Sequence, residues 1–224
     1  MPTAYLCDFD GTVSPADVGA QLVRRFTTAD AATMKSRLAR WRTGTMGHRE
    51  LTIAECREMR ASEREALEAA RRFTIDPAFA PFVHEAHARG DEVMVVSEGF
   101  EFYLADRLAD AGLAELARAA NRVRFRGRHW RPEFPFADPS CDQCGNCKAQ
   151  HVRRYQELGF TTVFVGDGLS DRCGARTADV VFARTGRSLL AWCRHEGVRC
   201  RSFRDFRDVA RYARRRHATH AKTA

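Results

Sequence analysis

Four short apolar runs, each ending in or leading to polar residues, constrain this chain most. They are residues 5–9 in YLCDFDGT, residues 92–97 around VMVV, residues 161–165 ahead of GDGLSD, and residues 180–183. Each has the length of a buried strand. Helix-length segments separate them. Val18, Leu22 and Phe26 follow the first run at four-residue spacing. Residues 78–89, 100–111 and 148–158 are helical in pattern, and Gly90, Gly112 and Gly159 stand just past them, the usual stop for a helix. Strands alternating with helices imply right-handed crossovers and an α/β fold with a mostly parallel sheet flanked by helices. Residues 121–130 alternate around Gly127 and predict a hairpin.

A core of this kind needs enough apolar material, and 44% of the 224 residues are hydrophobic. No run approaches the roughly 20 apolar residues of a membrane helix. The opening MPTAYLCDFD lacks a basic region followed by an apolar core, so a cytoplasmic protein without a membrane partner is expected. The net charge of +8 is unevenly placed. Residues 199–224 hold eight arginines and one lysine against two aspartates. Phe203, Phe206, Val209 and Ala213 recur there at helical spacing, which puts the arginines on the solvent face of a terminal helix, with RRRHATHAKTA as a frayed tail. That placement disfavours nucleic acid. A non-enzymatic polyanion binder using this basic helix is the reading from another class. Nothing in the pattern fixes an oligomeric state.

In an open parallel sheet, chemistry gathers beyond the carboxyl ends of the strands. Three of the runs end there in polar groups: Asp8 with Asp10, Ser97, and Asp167 with Asp171. Carboxylates two apart on a strand point the same way, and their repulsion is relieved by a cation or a shared proton. A hard divalent cation such as Mg²⁺ takes oxygen ligands. Ser97, the backbone N–H groups of Gly99 and Phe100 at a helix start, and Lys148 suit an anionic phosphate.

DFDGT, the serine after VMVV, the lysine and GDGLSD, in that order, resemble the four-motif series of the haloacid dehalogenase superfamily phosphatases. The resemblance runs from about residue 5 to residue 183. Within the superfamily the chain resembles the phosphoserine-phosphatase-like branch. CDQCGNCK and DVVFAR look closest to the methionine-salvage phosphatases. The resemblance implies a Rossmann-like core from residues 1–13 and 75–224, with residues 14–74 as a helical cap inserted after the first strand. It also implies a Mg²⁺-dependent phosphomonoesterase acting on a small phosphorylated metabolite, with phosphoserine hydrolysis and phosphoryl transfer to another acceptor as alternatives. Asp8 would be the nucleophile and Asp10 the general acid and base. Mg²⁺ would lie between Asp8, the carbonyl of Asp10 and Asp167, with Asp171 supporting the metal shell or Lys148. Thr12, Ser97, Gly99 and Lys148 would bind the phosphoryl group. Asp17 falls where the branch places a cap glutamate, and Arg49 and Arg57 are candidates for a cap arginine. Glu98, where the branch commonly has glycine, reads as an exposed loop charge.

Eight cysteines remain. Cys141, Cys144, Cys147 and His151 have the spacing of a zinc site. The same residues also read as free thiols packing a tight loop, or as a redox-labile pair. Cys7, Cys56, Cys173, Cys193 and Cys200 read as small buried hydrophobes.

Overall fold

A computed structural model describes residues 2–221, with side chains to residue 218. Among the described residues, seven strands form one sheet: β1 (Thr3–Cys7), β2 (Glu92–Phe100), β3 (Ala117–Arg126), β4 (His129–Glu133), β5 (Thr161–Gly166), β6 (Val180–Arg184) and β7 (Arg201–Phe203). The order is β4-β3-β2-β1-β5-β6-β7, and only the β3–β4 pairing is antiparallel. The helices are α1 (Val18–Phe26), α2 (Ala31–Arg42), α3 (His48–Glu58), α4 (Glu63–Ala70), α5 (Phe79–Ala88), α6 (Glu101–Asp110), α7 (Lys148–Glu157), α8 (Arg172–Thr177), α9 (Ser188–His195) and α10 (Phe206–Ala221).

β1 lies at the centre, and all five of its residues are buried. It reads as a continuous apolar run rather than an alternation because helices cover both faces. The alternation survives in the partners. Tyr5 and Cys7 join Val93, Val95, Phe79, Phe82 and Phe206 on one side. Ala4 and Leu6 join Val96, Phe164, Val152, Leu189 and Cys193 on the other. Tyr5 meets Phe82 edge to face, with ring centroids 5.1 Å apart. Phe82 and Phe79 in turn meet Phe206 of α10 at 5.5 and 4.7 Å. Burying one such ring contributes about 2–3 kcal/mol, so the C-terminal helix is part of the core rather than an appendage.

Between β1 and α5 the chain folds into α1–α4. Their starts follow from local chemistry. Asp17 and Asp30 accept from the third backbone N–H of α1 and α2. Ser62 and Glu65 form a reciprocal capping box at α4. GTMG at residues 44–47 separates α2 from α3, and further breaks precede α2 and α4. The segment is tied to the sheet through Trp130 of β4, whose indole N–H donates to Ala61 O at 2.9 Å.

The expected hairpin around Gly127 is present as β3–β4, and β3 also extends the main sheet beside β2. Two expectations for the C-terminal region need correction. Phe203 belongs to β7, not to the helix. Residues 214–221 continue α10 rather than fray, because Arg214 pairs with Glu85 at 2.8 Å and Arg216 donates to Thr161 Oγ1 at 2.7 Å. The rest of that tail, residues 222–224, lies outside the described residues. Among the described residues, no helix is long and apolar enough to cross a membrane.

Candidate active site

β1, β2 and β5 are adjacent in the sheet, so their carboxyl ends deliver residues distant in sequence to one edge. Oxygen atoms of Asp8, Asp167 and Asp171 lie within 4.8 Å of one another. Lys148, fully buried at the start of α7, places Nζ 2.5 Å from Asp8 Oδ1 and 2.5 Å from Asp171 Oδ1. Burial works against its charge, but the two carboxylates outweigh burial and hold the ammonium well above the usual lysine range.

One ammonium does not balance three carboxylates. Burial, and then repulsion from Asp171, hold Asp8 well above the usual aspartate range, although Lys148 pulls the other way. Burial and Asp171 raise Asp167 to about 7 against Lys148 and Arg187. This excess of oxygen-borne negative charge in a desolvated spot fits a hard divalent cation such as Mg²⁺. The hydrogen bonds divide the three roles. Asp171 accepts from Lys148 at Oδ1 and from the backbone N–H groups of Asp167 and Gly168 at Oδ2, both at 2.8 Å. It thereby braces the loop and the lysine. Asp8 and Asp167 keep oxygens for a cation.

Asp10, also expected at the metal, turns its side chain elsewhere. Oδ1 accepts from the N–H groups of Val18 and Gly19 at the start of α1, at 2.8 and 3.3 Å. Oδ2 accepts from the phenol of Tyr103 at 2.6 Å. Only its backbone carbonyl is left for a metal role. Burial, then the charge of Asp17, raise Asp10 to about 7, while the bonds from Tyr103, Gly19 and Val18 oppose the rise. A carboxyl poised there can give and take a proton near neutral pH. Gly99 makes this arrangement fit. A Cβ at that position would lie 1.9 Å from Tyr103 Oη and 2.5 Å from Asp10 Oδ2.

Asp8, Asp10, Ser97, Gly99 and Asp167 face a cavity of about 750 Å³ that residues of α1, α2 and α3 also line. Ser97 Oγ accepts from the Gly99 N–H at 2.9 Å, which leaves the hydroxyl proton free to donate. The Gly99 N–H expected to bind phosphate is therefore committed to Ser97. Thr12 departs from expectation as well. It is fully buried behind the cavity and does not line it, and its hydroxyl has no partner. Asp17 caps α1 and lines the cavity.

Neither arginine expected at the substrate reaches the cavity. Arg49 donates from Nε to Cys144 O at 2.9 Å and from Nη2 to Cys141 O at 2.7 Å, so it fastens α3 to the cysteine loop. Arg57 is exposed on the outer face of α3. Arg42, His48 and Arg187 line the cavity instead, and Arg187 Nε lies 3.7 Å from Asp167 Oδ2.

Glu98 is buried, not the exposed charge its loop suggested. It bonds His48 Nδ1 at 3.0 Å and the N–H of Gly145 at 3.0 Å. Burial opposes both charges of the pair. Their mutual attraction outweighs it, holding His48 above the usual histidine range and Glu98 below the usual glutamate range.

The cysteine loop is residues 134–147, between β4 and α7. The sulfurs of Cys141, Cys144 and Cys147 lie within 4.8 Å of one another. His151 does not join them, because its Nε2 is taken by Asn146 Oδ1 at 2.7 Å. Burial lowers His151 to about 4, so the ring is neutral. Cys173, read as a plain buried hydrophobe, is only half-buried and stands on α8, which packs against α7 just past Cys147. Tyr103, His48, Arg187 and Cys173 escaped the sequence reading. Tyr103 alone left a trace, four residues after Gly99 at the start of a helix.

The family model for haloacid dehalogenase-like hydrolases matches residues 5–176. Two relatives named 2-hydroxy-3-keto-5-methylthiopentenyl-1-phosphate phosphatase are 30% identical to this chain. The one from Exiguobacterium sp. aligns over 95% of this chain and 97% of its own length. The one from Brevibacillus brevis aligns over 80% and 81%. A solved phosphoserine phosphatase, in a phospho-aspartyl intermediate analogue form, superposes with a TM-score of 0.73 at 20% identity, covering 94% of this chain and 98% of that one. The chain is an enzyme belonging to the haloacid dehalogenase-like hydrolase family, and it shares the α/β architecture of that family's phosphatases.

Proposed function

We propose that the chain hydrolyses a small phosphorylated metabolite through an aspartyl-phosphate on Asp8, with Mg²⁺ as cofactor. The carrying observation is the separation of two aspartates only two residues apart. Asp8 points at Lys148 and the other carboxylates, while Asp10 is held aside by Tyr103 and the start of α1.

The chemistry follows from that split. An Asp8 oxygen attacks phosphorus, the bond to the leaving oxygen breaks, and Asp10 gives that oxygen its proton. Asp10, now a carboxylate, takes a proton from water. The water oxygen attacks phosphorus, the bond to Asp8 breaks, and phosphate leaves. Ser97 donates its hydroxyl proton to a phosphoryl oxygen. Lys148 holds Asp8 in place and adds positive charge beside it. Asp8, Asp167 and the Asp10 carbonyl would hold Mg²⁺, which would supply the charge neutralisation that lets one anion approach another.

Residues 14–74 serve in this reading as a cap that excludes water and selects the substrate. Val23, Leu38, Trp41 and Leu51 give its cavity wall an apolar stretch. Such a wall suits an uncharged tail such as a methylthio group, and the 2-hydroxy-3-keto-5-methylthiopentenyl-1-phosphate of the relatives is the first substrate to try. Phosphoserine is second, because Arg49 is spent on backbone carbonyls.

The test is turnover of para-nitrophenyl phosphate with and without Mg²⁺, followed by a panel containing both esters and an alcohol acceptor. Mg²⁺-dependent release of inorganic phosphate is expected. Transfer to the alcohol in preference to water would make the chain a phosphotransferase. Absence of turnover, with binding of polyanions that falls steeply between about 50 and 200 mM salt, would give the basic helix the function instead.

A further inference from the structure

We infer that Cys141, Cys144, Cys147 and Cys173 form a tetrahedral zinc site that joins the loop carrying Lys148 to the loop carrying Asp167 and Asp171. Three of the sulfurs already lie within 4.8 Å of one another. The fourth belongs to α8, one residue past the start of that helix, and α8 packs against α7, which begins directly after Cys147 and is tied to Asp171 by Lys148 at 2.5 Å. A tetrahedral ion with zinc–sulfur bonds of about 2.3 Å separates its thiolates by roughly 3.8 Å, so the three loop sulfurs need only small shifts to close on one ion. An iron–sulfur cluster interposes inorganic sulfide and spreads its thiolates further than a single ion does.

The surroundings are built for this. All eight cysteines of the chain are free thiols. Zn²⁺ binding displaces the thiol protons to solvent and leaves four thiolates around one divalent ion, a doubly negative unit. Arg49 lays its guanidinium on the carbonyls of Cys141 and Cys144, which places a fixed cation beside that charge. Glu98 and Asn146 fix the intervening backbone. Glu98 accepts from Gly145 N–H at 3.0 Å, and the Asn146 amide donates to Ser97 O and Ala119 O, both at 2.9 Å. Residues 134–147 otherwise form a long connection without regular structure, the kind of segment that a metal clip stabilises most. The position gives the site its consequence. Cys147 immediately precedes Lys148, and Cys173 comes two residues after Asp171, so one ion would set the distance between the lysine and its buried partner.

The site stands independently of the phosphatase reading, and its test needs no turnover. The full chain, purified without chelator or added metal, is expected to carry about one zinc per chain by elemental analysis, released by a mercurial reagent. Protein produced in cobalt-supplemented medium is expected to show thiolate-to-cobalt charge transfer and strong tetrahedral d–d bands. Cys173→Ser is expected to lower zinc to less than about half an equivalent and alter the cobalt spectrum, whereas His151→Ala keeps both. Should a variant fail to fold, the metal content and cobalt spectrum of the unaltered chain still decide. Zinc below about a tenth of an equivalent, or iron with acid-labile sulfide, overturns the site. Full zinc and an unchanged cobalt spectrum in Cys173→Ser overturn the four-cysteine assignment.

Discussion

The phenol of Tyr103 donates to Asp10 Oδ2 at 2.6 Å, across 93 residues of sequence. It pins one side of the carboxylate while the N–H groups of Val18 and Gly19 pin the other. Helix α6 thus positions a proton donor that belongs to the β1 loop. Removing the phenol in Tyr103→Phe takes away a bond that stabilises charged Asp10, so its pKa should rise above about 7. The rate limb that needs protonated Asp10 should move to higher pH, with kcat lower by about tenfold. A kcat profile whose alkaline limb stays in place would exclude this role for Tyr103.

Asp8→Asn removes the nucleophile and should cost at least about 10³-fold in kcat/KM with an aryl phosphate. No phosphoenzyme should be trapped on the variant by acid quench. Turnover within about tenfold of the unaltered chain would take Asp8 out of the mechanism.

Asp167→Asn tests the metal. The folded pKa of Asp167 stands at about 7, above its ordinary 3.8, so its charge opposes folding in metal-free protein. Stability is therefore lost as pH rises from 3.8 toward about 7 and stays low above it. The variant should flatten that loss when melting is followed in chelator. Mg²⁺ at about a hundredfold excess over its dissociation constant should stabilise the unaltered chain by about 2.7 kcal/mol and the variant far less. Equal stabilisation of both by Mg²⁺ would remove Asp167 from the ligand set.

His48→Gln breaks the pair between half-buried His48 and buried Glu98. A histidine with a raised folded pKa contributes its stability below the unfolded value of 6.5, and loses it as pH rises through the folded value. Glu98 has a lowered folded pKa, so its share is present above 4.5 and is lost on acidification. The variant should lose about 2 kcal/mol near pH 6, with the deficit shrinking at higher pH. Chemical denaturation at several pH values measures this, and a deficit independent of pH would mean that packing, not charge, explains it.

Gly99→Ala introduces a Cβ 1.9 Å from Tyr103 Oη. The phenol must withdraw from Asp10, so activity should fall in parallel with Tyr103→Phe while stability drops by about 1–3 kcal/mol. A double variant no slower than either single one would show that the two act through the same contact.

Much of the frame is written along the chain. Alternating apolar strands and helices dictate a parallel sheet, and a parallel sheet brings its strand ends to one edge. That is enough to gather Asp8, Ser97 and Asp167 without coordinates, and the order of motifs adds the family. The four-residue spacing of Val18, Leu22 and Phe26 likewise makes α1 legible. What stayed hidden depends on side chains meeting across the fold. Arg49 was a plausible substrate contact until the loop carbonyls claimed it. Glu98 looked exposed because nothing near it in sequence reveals His48 fifty residues earlier. Cys173 reads as a small buried hydrophobe because the cysteine loop near it is distant in sequence. Sequence fixes periods and local bonds, which act over a few residues. Which oxygen faces which nitrogen or sulfur is settled by packing, where a buried polar group must take the partner that the tertiary fold brings within reach.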